Sequence, residues 1–235
     1  MSSIAVTGAT GHLGSVLVPY LWERGHTVIP VGRRVPFDLD ADVLIHCAAP
    51  DWRDEDAIMA FPIFNEIVAR WAEVSGGRVI NVGSWWTYAH GGAARLSYCQ
   101  LKAEQSDMFP VTVVPFSVYG TSARQGRGFI PQLLAHVRGS ATLSAASREP
   151  RDWLHVRDLC DALRAALRAP DGIYEAATGV QYSAAELLRS MTGETVPAWP
   201  DVPSCTPAYL HPRVPGWTPK TDVLGHLARS VGAVA

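Results

Sequence analysis

Thr7-Gly8-Ala9-Thr10-Gly11-His12-Leu13-Gly14, directly after the apolar run Ser3-Ile4-Ala5-Val6, decides how this chain folds. The glycines recur every third residue, and an apolar segment with Val16, Leu17, Val18, Tyr20 and Leu21 follows. That order reads as a strand, a tight turn and a helix whose N-terminus faces the turn. Glycine lets backbone approach a ligand closely, and the N–H groups and positive dipole end of a helix attract a pyrophosphate. Such a turn can be purely structural. At residue 7, after a first strand, it predicts dinucleotide binding through Gly8, Thr10, Gly11, His12, Leu13 and Gly14.

Outward from this turn, apolar runs of strand length alternate with segments of helical period, the pattern of a parallel sheet covered on both faces. Strands are expected at Ile4–Thr7, Thr27–Val31, Val43–Cys47, Arg78–Val82 and Val111–Phe116, and helices at Leu13–Arg24, Ala57–Ser75 and Leu96–Phe109. Only about ten residues, Gly32 to Asp42, separate the second strand from Val43. A strand with its crossover helix needs at least about 10–12 residues for the crossover alone. A third strand and its helix are therefore expected to be missing, replaced by an extended return through Val35–Leu39. Beyond Tyr119 the alternation weakens. Arg151–Val156 reads as a short strand, Asp158–Arg168 as an amphipathic helix, and Ser183-Ala184-Ala185-Glu186 as a capping box opening another. A proline-rich stretch, Val196–Pro219, then leads to a last helix at Thr221–Val231. The fold expected is α/β, a Rossmann-type doubly wound parallel sheet shortened after its second strand, with a small C-terminal substrate lobe. Residues 1–120 would form the nucleotide-binding core and residues 121–235 a lobe interleaved with it, in a single domain.

Further features carry chemistry. Tyr98 and Lys102 stand four residues apart, on one face of a helix and one turn from each other. An ammonium beside a phenol favours the phenolate, which makes the tyrosine a usable proton donor or acceptor. Arg78–Val82 leads through Gly83 to Ser84 at the strand's C-terminal end, where open α/β sheets bind ligands. Read alone, these residues could be an exposed helical pair and a turn serine. Trp85 and Trp86 follow at once, either as packing or as an apolar wall against a substrate ring. At the end of the second strand, Val31-Gly32-Arg33-Arg34 lacks the carboxylate that binds a ribose 2′-hydroxyl. Guanidinium pairs well with phosphate, so NADP(H) is favoured there, with NAD(H) the alternative.

The glycine turn, Ser84, Tyr98 and Lys102 together resemble the short-chain dehydrogenase/reductase superfamily, and later motifs resemble its extended branch of nucleotide-sugar epimerases, dehydratases and reductases. The resemblance implies that Ser84 hydrogen-bonds the substrate oxygen, Tyr98 exchanges its proton and Lys102 holds the nicotinamide ribose. It places Asp38 near the adenine and Cys47, Ala48, Ala49 and Pro115 along the cofactor. Thr87-Tyr88-Ala89 stands where the branch often shows Val-Tyr-Gly. Val114-Pro115-Phe116-Ser117-Val118-Tyr119-Gly120 resembles its Arg-Pro-x-Asn-Val-Tyr-Gly, with Val114 and Ser117 departing from it. Arg151-Asp152-Trp153-Leu154-His155-Val156-Arg157-Asp158 is similar to its Arg-Asp-Phe-x-His-Val-x-Asp, which implies that Arg151 contacts a nucleotide diphosphate. Gly216-Trp217-Thr218-Pro219-Lys220 resembles a structural C-terminal signature. Substrate contacts are thus expected at Trp85, Trp86, Ser117 and Arg151. The activity implied is an NAD(P)H-dependent ketoreductase acting on a nucleotide-activated deoxyketo sugar. The alternatives are an epimerase that keeps its cofactor bound and a non-catalytic NADP-binding redox sensor. No Asp-Glu or Thr-Asp-Glu pair stands beside Ser84, the pair that dehydratases of the resembled branch use as acid and base, so the resemblance leans toward reduction.

Composition excludes other classes. A formal charge of −2 over 235 residues gives no bulk attraction to nucleic acid or anionic membranes. The chain has no apolar stretch of membrane-spanning length and begins on a strand without a signal-peptide pattern. Cys47, Cys99, Cys160 and Cys205 are widely spaced, so neither a disulfide framework nor a metal site is expected, and the setting is a reducing cytoplasm. A homodimer through the helices around Tyr98 is expected by resemblance.

Overall fold

β1 (Ser3–Thr7), β2 (Thr27–Val31), β3 (Val43–His46), β4 (Arg78–Val82), β5 (Val111–Pro115) and β8 (Gly172–Ala176) hydrogen-bond into one parallel sheet ordered β2-β1-β3-β4-β5-β8. The computed structural model describes residues 2–32, 35–36, 38–51, 53–88, 96–120, 129–140, 150–193 and 209–232. Every residue of β3 and β5 is buried, as strands with helices on both faces require. Alternate residues feed two cores. Ile4, Val6, Val43, Ile45, Ile80 and Val111 pack with Leu17 and Leu21 of α1 (Gly14–Trp22) and Leu159 and Leu163 of α5 (Val156–Ala166). Ala5, Leu44 and Val79 face the other way, onto Val68 and Trp71 of α2 (Glu55–Ser75), which packs beside α3 (Leu96–Met108). The doubly wound Rossmann-type sheet read from the sequence is present.

The shortened segment takes the expected form. Among the described residues between Val31 and Val43 there is no strand or helix, and β2 directly borders β1 at the edge of the sheet. Val35 and Leu39 are buried against Val31, Leu44 and Trp71, and the Trp71 indole N–H donates to the Leu39 carbonyl at 3.0 Å. The return is a packed strap.

A second, three-stranded sheet lies beyond the C-terminal ends of the main strands. β6 (Ser117–Tyr119) runs parallel to β7 (Arg151–His155), which pairs antiparallel with β9 (Gln181–Tyr182). Around it α4 (Phe129–Val137), α6 (Ala184–Thr192) and α7 (Val223–Gly232) close a third core of Tyr119, Ile130, Leu133, Trp153, Leu187, Met191, Val223 and Leu227. Ser183 and Glu186 form the reciprocal capping box, with the Ser183 N–H donating to Glu186 Oε2 at 2.7 Å. Trp217 of the C-terminal signature is buried and donates through Nε1 to the Asp158 carbonyl at 3.0 Å. Asp152 is buried and accepts four hydrogen bonds, from Thr178 N and Oγ1 (3.0 and 2.8 Å), Gly179 N (2.7 Å) and Tyr209 Oη (2.8 Å). It ties the start of β7 to the chain after β8. No described helix is long and apolar enough to cross a membrane, and no metal-binding group of side chains occurs among the described residues.

Candidate active site

The glycine turn closes tightly: the Gly11 N–H donates to the Gly8 carbonyl at 2.8 Å. Each glycine has its own steric reason. Gly8 has φ +64°, and a Cβ there would stand 2.9 Å from the backbone of Ala48. A Cβ on Gly14 would lie 2.2 Å from the Gly8 carbonyl oxygen. Side chains at these positions would push α1 off the turn and β1 off the loop after β3. Leu13, the N-cap of α1, makes no side-chain cap, and the first turn carries no acidic residue. The helix therefore presents its amide end to the turn without a competing carboxylate.

Above the turn is a cleft of about 550 Å³ lined by Gly8, Thr10, Gly11, His12, Leu13, Cys47, Ala48, Ala49, Tyr98, Lys102 and Pro115, all anticipated from the sequence. Pro50, Asp51, Arg53, Val82, Gly83, Val118 and Leu159 complete it and were not anticipated. Gly14 lies beneath the turn rather than on the wall. Asp38 is exposed on the return strap and does not line the cleft. Arg33 and Arg34 lie outside the described residues.

A second cavity of about 390 Å³ adjoins the first and shares His12, Gly83, Tyr98, Pro115 and Val118 with it. Ser84, Trp85, Trp86, Ser117 and Arg151, the residues singled out in the sequence for catalysis and substrate contact, line it together with Phe116, Phe129 and Trp153. Tyr98 stands where the two meet. Ser84 caps the short turn Trp85–Thr87, its Oγ accepting the Trp86 N–H at 3.4 Å and its carbonyl accepting the Thr87 hydroxyl at 2.8 Å. The two tryptophans differ in their packing. Trp85 is buried and stacks on Phe116, whereas Trp86 stands edge-on between Trp85 and Tyr98, with centroids 6.0 and 6.1 Å away. Phe129 stacks on Trp153 at 5.0 Å, and Tyr209 tilts onto Phe116 at 5.2 Å.

Lys102 is 3% exposed, and its Nζ donates to the Val82 carbonyl and to Gln105 Oε1, both at 2.7 Å. Burial lowers its pKa to about 8. His46, at the end of β3, is pushed down to about 3 by burial and is neutral at physiological pH. Burial moves the Cys47 thiol upward, and the side chain lines the cleft.

A glycine turn under an uncapped helix end, a cleft at the C-terminal edge of a parallel sheet and a buried lysine on its wall define a Rossmann-type nucleotide-binding protein. The chain belongs to the NAD-dependent epimerase/dehydratase family, whose model matches residues 4–80 and 77–178. No curated protein matches the sequence significantly. Solved structures share the fold at low identity. The dTDP-glucose 4,6-dehydratase of Bacillus anthracis, solved with NAD, is 16% identical over 99% of this chain and 96% of its own, with a TM-score of 0.77. RMD of Pseudomonas aeruginosa, solved with NADPH, is 17% identical over 98% of both chains, with a TM-score of 0.74. The UDP-glucose 4-epimerase of Thermotoga maritima, solved with UDP-glucose, is 17% identical over 99% and 98%, with a TM-score of 0.74.

Proposed function

We propose that this protein is an NADPH-dependent ketoreductase acting on a nucleotide-activated keto sugar. The observation that carries the reading is the position of Tyr98, at the junction between a glycine-floored cleft holding Lys102 and a second cavity holding Ser84. The cleft fits a dinucleotide: Gly8 and Gly14 leave space that a Cβ would fill, and the α1 amide end faces it. When bound, the reduced nicotinamide supplies the hydride. Ser84 holds the carbonyl oxygen, and Tyr98 delivers a proton to that oxygen as charge develops on it. The Lys102 ammonium holds the ribose and stabilises the phenolate that Tyr98 becomes. Arg151, which lines the second cavity, suits the diphosphate of a nucleotide sugar. Arg33 and Arg34 favour the 2′-phosphate of NADPH over the free ribose of NADH.

Reduction is preferred to dehydration because Trp85 and Trp86 occupy the positions after Ser84, where an acid and a base would be required. The same reading carries a cytoplasmic homodimer, which sedimentation tests. For the reaction, the enzyme is mixed with NADPH and a nucleotide-linked 4-keto-6-deoxy sugar, and absorbance and product mass are followed. Stoichiometric NADPH loss with a product two mass units heavier is expected. An isomerised sugar with no net NADPH loss would instead establish an epimerase. Arg33→Ala is expected to weaken NADPH binding far more than NADH binding, and equal effects would refute the cofactor assignment.

A further inference from the structure

Behind Lys102 runs a buried line of polar side chains that the catalytic reading leaves unused. Thr7 of β1, His46 of β3, Asn65 of α2 and Gln105 of α3 are each 2% exposed or less. Gln105 Nε2 donates to Asn65 Oδ1 at 2.8 Å and lies 3.1 Å from His46 Nε2. His46 Nδ1 pairs with Thr7 Oγ1 at 2.7 Å, and Thr7 Oγ1 accepts the Ala48 N–H at 3.3 Å. The line leaves the nucleotide cleft at Lys102 and returns to it at Ala48.

An amide has one accepting end and one donating end, so its orientation is a choice that its neighbours make. With Oε1 on the ammonium, the Gln105 amide N–H groups reach Asn65 and His46. Reversed, the amide would set N–H groups against an ammonium and an oxygen against Asn65 Oδ1. The first arrangement takes the Nδ1–H tautomer of His46, with Nδ1–H donating to Thr7 and Nε2 accepting from Gln105; in the other tautomer Nε2–H donates to Asn65 Oδ1, 3.1 Å away, and Gln105 is held by Asn65 alone. Among the described residues no carboxylate bonds Lys102. Its charge rests on two carbonyl dipoles, one of them the Gln105 side chain. The titratable groups around it are Tyr98 on its own helix, His46 at the end of β3 and Cys47 just after it. β4 contributes only the Val82 carbonyl, and α2 the neutral Asn65.

We propose that Gln105 is a positioning residue for Lys102: its amide, locked by Asn65 and His46, sets where the ammonium sits and supplies the dipole that keeps it charged. This rests on the reading of Lys102 as the residue that holds the cofactor ribose. Burial alone would discharge the amine more readily, which is the direction in which its proton affinity already leans.

Lys102 and Lys220 are the only lysines in the chain, so ¹³C-labelled lysine gives two side-chain signals, assigned with Lys220→Arg. The Lys102 signal is titrated in the wild type, Gln105→Glu and Gln105→Leu, with NADPH binding followed by fluorescence at each pH. Gln105→Glu sets a carboxylate on the ammonium and should raise the Lys102 transition by about one pH unit or more. Gln105→Leu removes the acceptor and should lower it by about as much. At pH 7 the leucine variant should bind NADPH roughly tenfold more weakly, the size of one charge-assisted hydrogen bond, with the glutamate variant close to wild type. A Lys102 transition that stays put, or moves the same way in both variants, overturns the proposal. Should Gln105→Leu fail to fold, Gln105→Glu decides alone. Wild-type protein that binds no NADPH would refute the cofactor reading, while the lysine titration still judges Gln105.

Discussion

Gly14→Ala tests whether the floor of the nucleotide cleft is set by backbone contact. The added methyl would stand 2.2 Å from the Gly8 carbonyl oxygen, 2.7 Å from Ala9 Cα and 2.8 Å from the Gly8 carbonyl carbon. All three are backbone atoms of a turn already closed by a 2.8 Å hydrogen bond, so no side chain can swing aside. Ordinary contact begins at 3.4 Å, and reaching it requires the start of α1 to retreat by more than an ångström. That retreat opposes Leu17, Val18 and Leu21, which are packed into the core one turn further on. Overpacking of this kind costs about 1–3 kcal/mol, and the rigid partners put this site at the upper end. Alanine's better helix propensity returns at most about 1 kcal/mol. A net loss of about 2 kcal/mol is expected, lowering Tm by about 4–8 °C for a chain of this length. NADPH binding should fall by at least about tenfold, since the α1 amides move with the helix. Gly32→Ala is the control. Nothing lies within 4 Å of its added methyl, and its stability should stay within about 0.5 kcal/mol of wild type. Urea unfolding and fluorescence titration of the three proteins measure both quantities. A Gly14→Ala protein as stable as Gly32→Ala, with unchanged binding, would refute the steric reasoning.

Other expectations follow from the same geometry. Tyr98→Phe should lower kcat by at least about a hundredfold with little change in NADPH affinity, in single-turnover kinetics. Asp152→Ala leaves four donors without their acceptor and should cost about 3 kcal/mol by chemical denaturation, loosening the segment around Tyr209 beside Phe116. His46 has a folded pKa of about 3, below its unfolded value of 6.5, so the unfolded chain binds the extra proton. Its contribution is complete above pH 6.5 and is lost as pH falls toward 3, by up to about 1.4 kcal/mol per unit. Urea midpoints measured from pH 7 to pH 4 should show this slope and lose part of it in His46→Gln. Lys102 shows the same sign on the alkaline side: with a folded pKa lowered from 10.5 to about 8, it makes stability rise with pH between those values, and Lys102→Met should flatten that rise.

Much of this was legible in the chain because it is local. The glycine turn, the mainly apolar β3 and β5, and the Ser183–Glu186 cap each declare themselves within a few residues. The missing third strand was legible as arithmetic on chain reach. Tyr98 and Lys102 share a helix face by spacing alone, and Ser84 sits at a strand end. What stayed hidden depends on pairing across the fold. Asn65 and Gln105 belong to no motif of the sequence. Only the packing of α2 beside α3 brings both to His46, forty or more residues from one of their partners. Arg53 and Asp51 carried no motif, and they line the cleft because the loop after β3 passes over it. The element ends also moved: the helix expected from Asp158 begins at Val156, because His155 supplies the cap, its Nδ1 accepting the Arg157 N–H at 3.3 Å.

Removing a strand from a sheet leaves its neighbour with an unpaired row of backbone groups, and such rows recruit strands from other molecules. Here the newly outermost strand is five residues long and carries Pro30, next to the last of them. Proline offers no N–H to an incoming strand and is tolerated in sheets chiefly at this position. The truncation therefore ends on a strand that is a poor template for growth. The cradle for the nucleotide is built from β1, α1 and the end of β3, none of them peripheral, so the fold can be pared from its margin while its binding floor keeps its shape.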